Sequence, residues 1–288
     1  MDNYVIFTDS ACDMESDTLK KWNVKFIDLT LKFDGEDKIY QNSEVEPVAF
    51  YNKMRDGGVA KTAAVNSQAF KVAFEEELKK GNDVFYLGFS SGLSTTYNSG
   101  ASAAKALSEA YPDRKILTVD SLAASAGFGL LVYLAVKKKE EGASIEELAE
   151  YMEETKWHMC HWFTVDDLVY LKRGGRVSAA AALVGGMLGI KPVLHVDNEG
   201  HLINISKVRG RKASIKALFD KYKELAIDPT KGPIFICQGD CKEDAAMLSD
   251  MIKEEFGPET DMTVFTGPVI GAHSGPGTLA LFFLGKER

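Results

Sequence analysis

Along the first 156 residues, short apolar runs alternate with longer segments of helical periodicity. YVIFTDS, at 4–10, predicts a strand ending in polar residues, with Ser16 placed to cap a helix running toward Trp22. VKFIDLTLKF predicts another strand, an amphipathic helix follows near Val45 to Arg55, and Gly57-Gly58 marks a loop. Phe70, Phe74 and Leu78 recur at helical spacing within Ser67 to Lys79, and Gly81 ends that helix. DVFYLGF is a continuous apolar run of the kind buried on both faces of a parallel sheet. Tyr97 to Ala110 then predicts an alanine-rich helix, KILTVDS a strand, and Ala123 to Lys139 a helix whose basic end suits its dipole. Ser144 caps a further helix into Lys156. Alternating strands and helices predict an α/β fold: an N-terminal three-layer α/β/α domain over 1–156, built on a parallel sheet. Ligands of such a sheet sit beyond the carboxyl ends of its strands.

From residue 157 the texture changes. FTVDDLVYL, KRGGRVS, a small-residue helix AAAALVGGMLG, and the stretch KPVLHVDNEGHLINISKV follow in order. The last predicts two strands joined through Asn198-Glu199-Gly200 as a hairpin. A helix from Ser214 to Leu225, the strand PIFICQGD, a helix from Ala245 to Phe256 and the strand MTVFTGPVI complete an α+β domain over 157–288, whose last segment packs back on the first domain. With no repeat and no low-complexity linker, the two halves should pack closely around a cleft.

Composition narrows the partners. The 288-residue chain carries a net charge of -8 and a pI near 5.3, which argues against nucleic acid or an anionic membrane surface. Cys12, Cys160, Cys237 and Cys241 are too scattered for a disulfide framework and suit a reducing compartment. The amino terminus is acidic from its second residue and has no secretory pattern, so a cytoplasmic location is expected. The weakly polar runs Leu122 to Val136 and Ala179 to Ile190 are shorter than the roughly 20 residues a spanning helix needs, so no membrane insertion is expected.

The candidate chemistry concentrates in GFSSGLSTTYNSG, at 88–100. Its six Ser and Thr hydroxyls and one tyrosine carry no charge and follow the apolar run Val84 to Leu87, where a βα turn belongs. Gly92 eases the strand exit, Ser94, Thr95 and Thr96 are placed to cap the next helix, and first-turn amides are free for an anion. Neutral hydroxyls suit one carboxylate better than a polyphosphate. Simple helix capping by Ser94 explains the same residues equally well. Thr62, after the glycine turn, is placed to face the same strand-end cleft, or to bond its own backbone. His273 in GAHSGPG sits between glycines that permit close backbone approach, and a histidine can donate to and neutralise a carboxylate.

The same loop fits a nucleophile elbow, Gly88-Phe89-Ser90-Ser91-Gly92, with Asp240, Asp261 and His273 downstream in the order of α/β-hydrolases. No HGGG-like segment precedes it to form an oxyanion hole. The basic segments Lys172 to Arg176 and Lys207, Arg209, Arg211, Lys212 read as solvated turns or as docking points for an anionic group. His158, Cys160 and His161 lack zinc-site spacing and read as packing beside Trp157 and Trp162. No nucleotide fingerprint appears, and no cofactor is expected.

Several ordered motifs resemble those of the DegV family of bacterial fatty-acid-binding proteins: TDSACD at 8–13, KTAAVNS at 61–67, SSGLSTTYNS at 90–99, TVDSLAASAGFG at 118–129, YLKRGGRVS at 170–178, GIKPVL at 189–194 and GAHSGPG at 271–277. The chain departs from the family at Ala63, Ala64 and Val65, where serine, glutamine and proline are common, but keeps Thr62. The resemblance implies a two-domain fold enclosing a long-chain fatty acid such as palmitate, stearate or oleate. It places the carboxylate on Thr62 and Ser94 with His273 close by, and Ser91, Thr95, Arg173, Arg176 and Ser274 in support. It also implies, for some members, presentation of the acid to an ATP-dependent fatty-acid kinase, with the position matching Arg209 in the partner region. The small-residue stretch Ala179 to Gly189 is placed either to line the tunnel or to form a packed core helix. The reading is then a lipid carrier without chemistry of its own. Its rivals are an acyl-ester hydrolase acting through Ser90, and a sugar- or ketone-binding kinase subunit of related fold.

Overall fold

The computed structural model describes residues 3–177, 189–257 and 262–288. Most of the small-residue stretch Ala179 to Gly189, along with Ser178 and Asp261, lies outside the described residues. The fold is mixed α/β, with a four-stranded parallel sheet in the first half and a separate six-stranded mixed sheet in the second.

Strands β1 (Tyr4–Asp9), β2 (Val24–Ile27), β6 (Asp83–Gly88) and β7 (Ile116–Asp120) form the parallel sheet in the order β2-β1-β6-β7. These are the continuous apolar runs, and β6 is buried from Val84 to Gly88, as a strand covered on both faces must be. Aromatic packing fixes its face: Phe7 meets Phe74 at 5.0 Å between ring centroids, and Phe70 meets Tyr86 at 4.9 Å. Phe70 and Phe74 come from helix α3 (Ser67–Lys79), whose cap is the Asn66 side chain accepting from the Ala69 amide. Helix α4 (Thr96–Ala110) links β6 to β7, and helix α1 (Ser16–Lys21) links β1 to β2. Ser16 is the first residue of α1, not its cap; Glu15 holds the cap position without a side-chain bond.

The segment VKFIDLTLKF breaks at Asp28-Leu29. Its second part, β3 (Thr30–Phe33), leaves the parallel sheet for a small antiparallel one with β4 (Tyr40–Gln41) and β5 (Ala60–Ala63), flanked by α2 (Pro47–Arg55). Thr62 therefore lies on a strand opposite Leu31 and not in a loop.

Helix α5 (Ser125–Glu140) is buried along most of its length because it packs between the two sheets; Tyr133 contacts both Trp22 and Phe235. A capped helix α6 (Ile145–Thr155), with Ser144 and Glu147 in a capping box, leads to β8 (Met159–Thr164). The second sheet then takes in β9 (Ile190–Val196), β10 (Leu202–Arg209), β11 (Ile234–Gln238), β12 (Met262–Phe265) and β13 (Leu279–Leu284), in the order β10-β9-β8-β13-β11-β12. The β9–β10 hairpin turns where the Asn198-Glu199-Gly200 signal places it. Helices α7 (Val169–Arg173), α8 (Arg211–Leu225), α9 (Lys242–Phe256) and α10 (Pro268–Ser274) complete the described elements.

Helix α10 replaces the second half of the expected strand MTVFTGPVI. Pro268 at its first position removes an amide that a ladder would need and fixes a helical φ. The Asn42 side chain accepts from the Val269 amide at 2.8 Å, and the Tyr51 hydroxyl donates to the Thr266 carbonyl at 2.7 Å. These bonds carry the GAHS segment to the small sheet of the first half. No helix among the described residues is long and apolar enough to cross a membrane.

Candidate functional site

A cavity of about 490 Å³ lies past the carboxyl ends of β6 and β7, against the inner face of the second sheet. Leu29, Phe89, Leu93, Phe163, Val269 and Phe282 are among its apolar lining. One end gathers hydroxyls and an imidazole from three distant segments.

The loop after β6 is held by backbone and carboxylate bonds. Asp9, at the end of β1, accepts from the Tyr86 hydroxyl and the Phe89 amide, both at 3.0 Å, and its burial raises the carboxyl to about 7. Asp120, at the end of β7, accepts from the Ser91 amide at 3.2 Å. Gly92 does not take a glycine-only backbone; an added Cβ there would lie 2.6 Å from the Glu199 carbonyl oxygen, so its role is close approach of the loop to the β9–β10 turn. Ser94 then faces the cavity, accepting from the Thr96 amide at 3.2 Å and sharing a hydrogen bond with the Thr96 hydroxyl at 2.9 Å.

Across from it, Thr62 Oγ1 lies 2.8 Å from His273 Nε2. The small sheet supplies Thr62 and α10 supplies His273, so residues 211 positions apart meet. Burial, with a smaller contribution from the Arg176 charge, lowers His273 to about 4. The imidazole is therefore neutral at physiological pH and acts as a hydrogen-bonding group; the charge-neutralising role expected of it needs a bound anion to raise its pKa. Its Nδ1 faces Gly174, where an added Cβ would lie only 2.1 Å away. Ser91, Thr95, Arg176 and Ser274 also line the cavity, and Ser274 Oγ is buried without a partner among the described residues.

Arg176 is spent on closure. Its Nε and Nη2 donate to the Leu93 carbonyl at 3.3 and 3.2 Å, and Nη1 donates to Gly174. It ties the loop after β6 to the segment after α7. Arg173 is exposed, its guanidinium 5.7 Å from the Tyr170 ring centre, and it is absent from the lining. Arg209 is exposed at the end of β10, whereas Arg211 is taken up by Asp166 and Asp244.

The nucleophile-elbow geometry is not assembled. Ser90 is fully buried and donates to the Gly200 carbonyl at 2.9 Å, His273 pairs with Thr62, and Asp240 pairs with Arg55. Asp261 lies outside the described residues. Among the described residues no His, Cys, Asp and Glu cluster could hold a metal ion.

Some lining residues were not singled out from the sequence. Ser125 at the start of α5 donates to Asp13 Oδ2 at 2.5 Å, and the Thr266 hydroxyl donates to Cys237 Sγ at 3.1 Å. His161, read from sequence as packing, does pack edge-on against Phe282, yet it also borders the cavity.

Fold and site together define an α/β protein of three sheets with a largely apolar cavity whose wall carries a cluster of neutral hydrogen-bonding groups. The chain belongs to the DegV family: the family model described as "Uncharacterised protein, DegV family" matches residues 3–286. It is 46% identical over 289 residues to a DegV domain-containing protein of Clostridium perfringens, covering 100% of this chain and 99% of that one. The fold is similar to that of a DegV lipid-binding protein from Thermotoga maritima, with TM-score 0.85 and 29% identity over 99% of each chain. It is also similar to a stearic acid-binding protein from Eubacterium ventriosum, with TM-score 0.88 and 26% identity over 98% of each chain.

Proposed function

We propose that this chain binds one long-chain fatty acid, with its carboxylate among Thr62, Ser94 and His273 and its tail in the cavity, and that it acts as a carrier with no chemistry of its own. The observation that carries the reading is the pairing of a 490 Å³ largely apolar cavity with an uncharged hydrogen-bonding cluster in its wall. A sixteen-carbon tail gains roughly 0.8 kcal/mol per methylene on leaving water, on the order of 10 kcal/mol before ordering costs. The tail therefore supplies affinity. A buried carboxylate left without donors would be too costly, so the head group sets orientation. Relatives of the same fold described as lipid-binding and stearic acid-binding support the same ligand class.

The finer reading is a carrier that presents the acid to an ATP-dependent fatty-acid kinase, working in the cytoplasm, with exposed Arg209 at the partner contact. The two halves, 1–156 and 157–288, act as the units that enclose the ligand. Mass spectrometry of material released by denaturing the purified protein tests the central claim. A stoichiometric long-chain acid, lost from the Thr62→Val, Ser94→Ala double variant, is expected; a small polar ligand, or acid retained by the folded double variant, overturns it.

A further inference from the structure

Strand β13 reads LALFFL, and its two faces pack differently. Leu279, Leu281 and Phe283 join the core formed with α8 and α9, whereas Ala280 and Phe282 turn toward the first half of the chain and line the cavity. The pairing register extends that face into a floor. Ala280 lies opposite Cys237 on β11 and Phe163 on β8, and one row further Phe282 lies opposite His161. All five line the cavity, and Ala280 has the smallest side chain of them. Packing alone does not ask for alanine here. Buried strand positions are filled to crystal-like density, so a gap beside Cys237, Phe163 and Phe282 costs the fold stability unless something occupies it. The space above Ala280 is part of the cavity, and 4% of the residue stays accessible there.

The place of Ala280 along the cavity follows from the strand. Thr278, two residues earlier, donates to the Gly275 carbonyl close to His273, which puts it at the head-group end. Ala280 is about 7 Å further on, and Phe282 about 7 Å beyond that. At Phe282 the floor meets α5: a Cβ on Gly127 would lie 2.5 Å from the Phe282 ring and 2.6 Å from His161, so helix and floor touch and no chain passes between them.

We propose that Ala280 is a specificity-determining residue: a tail running from the head group toward the Phe282 wall lies over it, and its missing side-chain volume sets how long a tail the cavity accepts. The inference rests on the fatty-acid reading above and adds the position that fixes chain length.

The test measures the affinities of saturated acids from ten to eighteen carbons for delipidated wild type and Ala280→Leu, by displacement of a fluorescent fatty acid. Wild-type affinity should rise with each added methylene until the cavity is full. Leucine adds three carbons where the tail lies, so the variant should reach its plateau about three methylenes earlier. The longest acid the wild type accommodates should then bind roughly fiftyfold less tightly to the variant, while the shortest acids bind both alike. A merely structural role would weaken every acid by one factor and leave the length dependence in place. Ala280→Val adds two carbons, should move the plateau by about two methylenes, and supplies the comparison if the leucine variant does not fold. Identical length profiles in wild type and a folded variant, or a uniform loss at all lengths, overturn the inference although the fatty-acid reading stands. If no acid of any length binds the wild type, the fatty-acid reading itself fails and takes the inference with it.

Discussion

Gly174→Ala isolates the head-group cluster from the rest of the molecule. Gly174 follows α7 with φ of -72°, a right-handed conformation open to any residue, so alanine meets no backbone strain. The added Cβ would stand 2.1 Å from His273 Nδ1, against roughly 3.5 Å for a comfortable contact. The imidazole must retreat by more than about 1 Å, and the 2.8 Å bond to Thr62 cannot survive that movement. For folding, the lost neutral bond costs about 1 kcal/mol, and the reduced freedom of the unfolded chain returns roughly 0.4–1 kcal/mol. Crowding of the buried ring adds about 1–3 kcal/mol, so the melting temperature should fall by several degrees with the fold retained. For binding, a hydrogen bond to a charged carboxylate contributes about 1.5–3 kcal/mol, so acyl affinity should fall roughly ten- to hundredfold. Displacement of a fluorescent fatty acid measures the loss, and thermal denaturation of the ligand-free protein measures the fold. A double cycle with His273→Ala sharpens the result, because Gly174→Ala should add nothing once the imidazole is gone. A well-folded Gly174→Ala protein with unchanged affinity, or full additivity in the cycle, refutes the placement of His273 at the carboxylate.

The His273 ring should titrate near pH 4 by NMR without ligand and at higher pH once a carboxylate is bound; an unmoved midpoint would show that no anion reaches it. Because its folded pKa lies below the ordinary 6.5, unfolding takes up a proton between those values, and its contribution to stability is present above pH 6.5 and lost as pH falls toward 4. Urea melts of wild type and His273→Asn across that window should differ in slope, and parallel slopes would contradict the assignment. Ser90→Ala removes a buried bond to the Gly200 carbonyl and should lower stability by about 1–2 kcal/mol with acyl affinity unchanged. A fluorophosphonate should not label the wild-type protein, and covalent labelling at Ser90 would reopen the hydrolase reading.

The parallel sheet was legible because its strands are uninterrupted apolar runs, and a run such as Val84 to Leu87 has no solvent face to disguise it. Strand β5 was not. Its four residues, Ala60 to Ala63, alternate between exposed and half-buried at a sheet edge, and neither alanine nor lysine favours a strand, so nothing local announces the element that carries Thr62. Helix α10 was hidden by its own composition: Val269 and Ile270 favour strands, and the Asn42 bond to the Val269 amide, from 227 residues away, adds to the Pro268 start in favouring the helix. His161 illustrates the same limit at the site. Sequence places it among aromatic neighbours, which is correct, but the unpaired Nε2 depends on the Met159 carbonyl and on Gly127, which no spacing rule connects.

The hydroxyls of the βα loop stood out in the sequence because they follow a buried strand without a counter-charge, and in the structure Ser91, Ser94 and Thr95 line the cavity. Arg176, which also lines the cavity, gives its donors to Leu93 and Gly174 and joins the loop after β6 to the segment after α7. A guanidinium paired directly with a buried carboxylate would add strong charge-assisted bonds to a tail that already contributes on the order of 10 kcal/mol, and the acid would dissociate slowly. Under the fatty-acid proposal, a head group held by neutral donors leaves without breaking an ion pair. For the proposed carrier the division of labour is apolar area for affinity and uncharged donors for orientation, with the Arg176 guanidinium committed to backbone carbonyls.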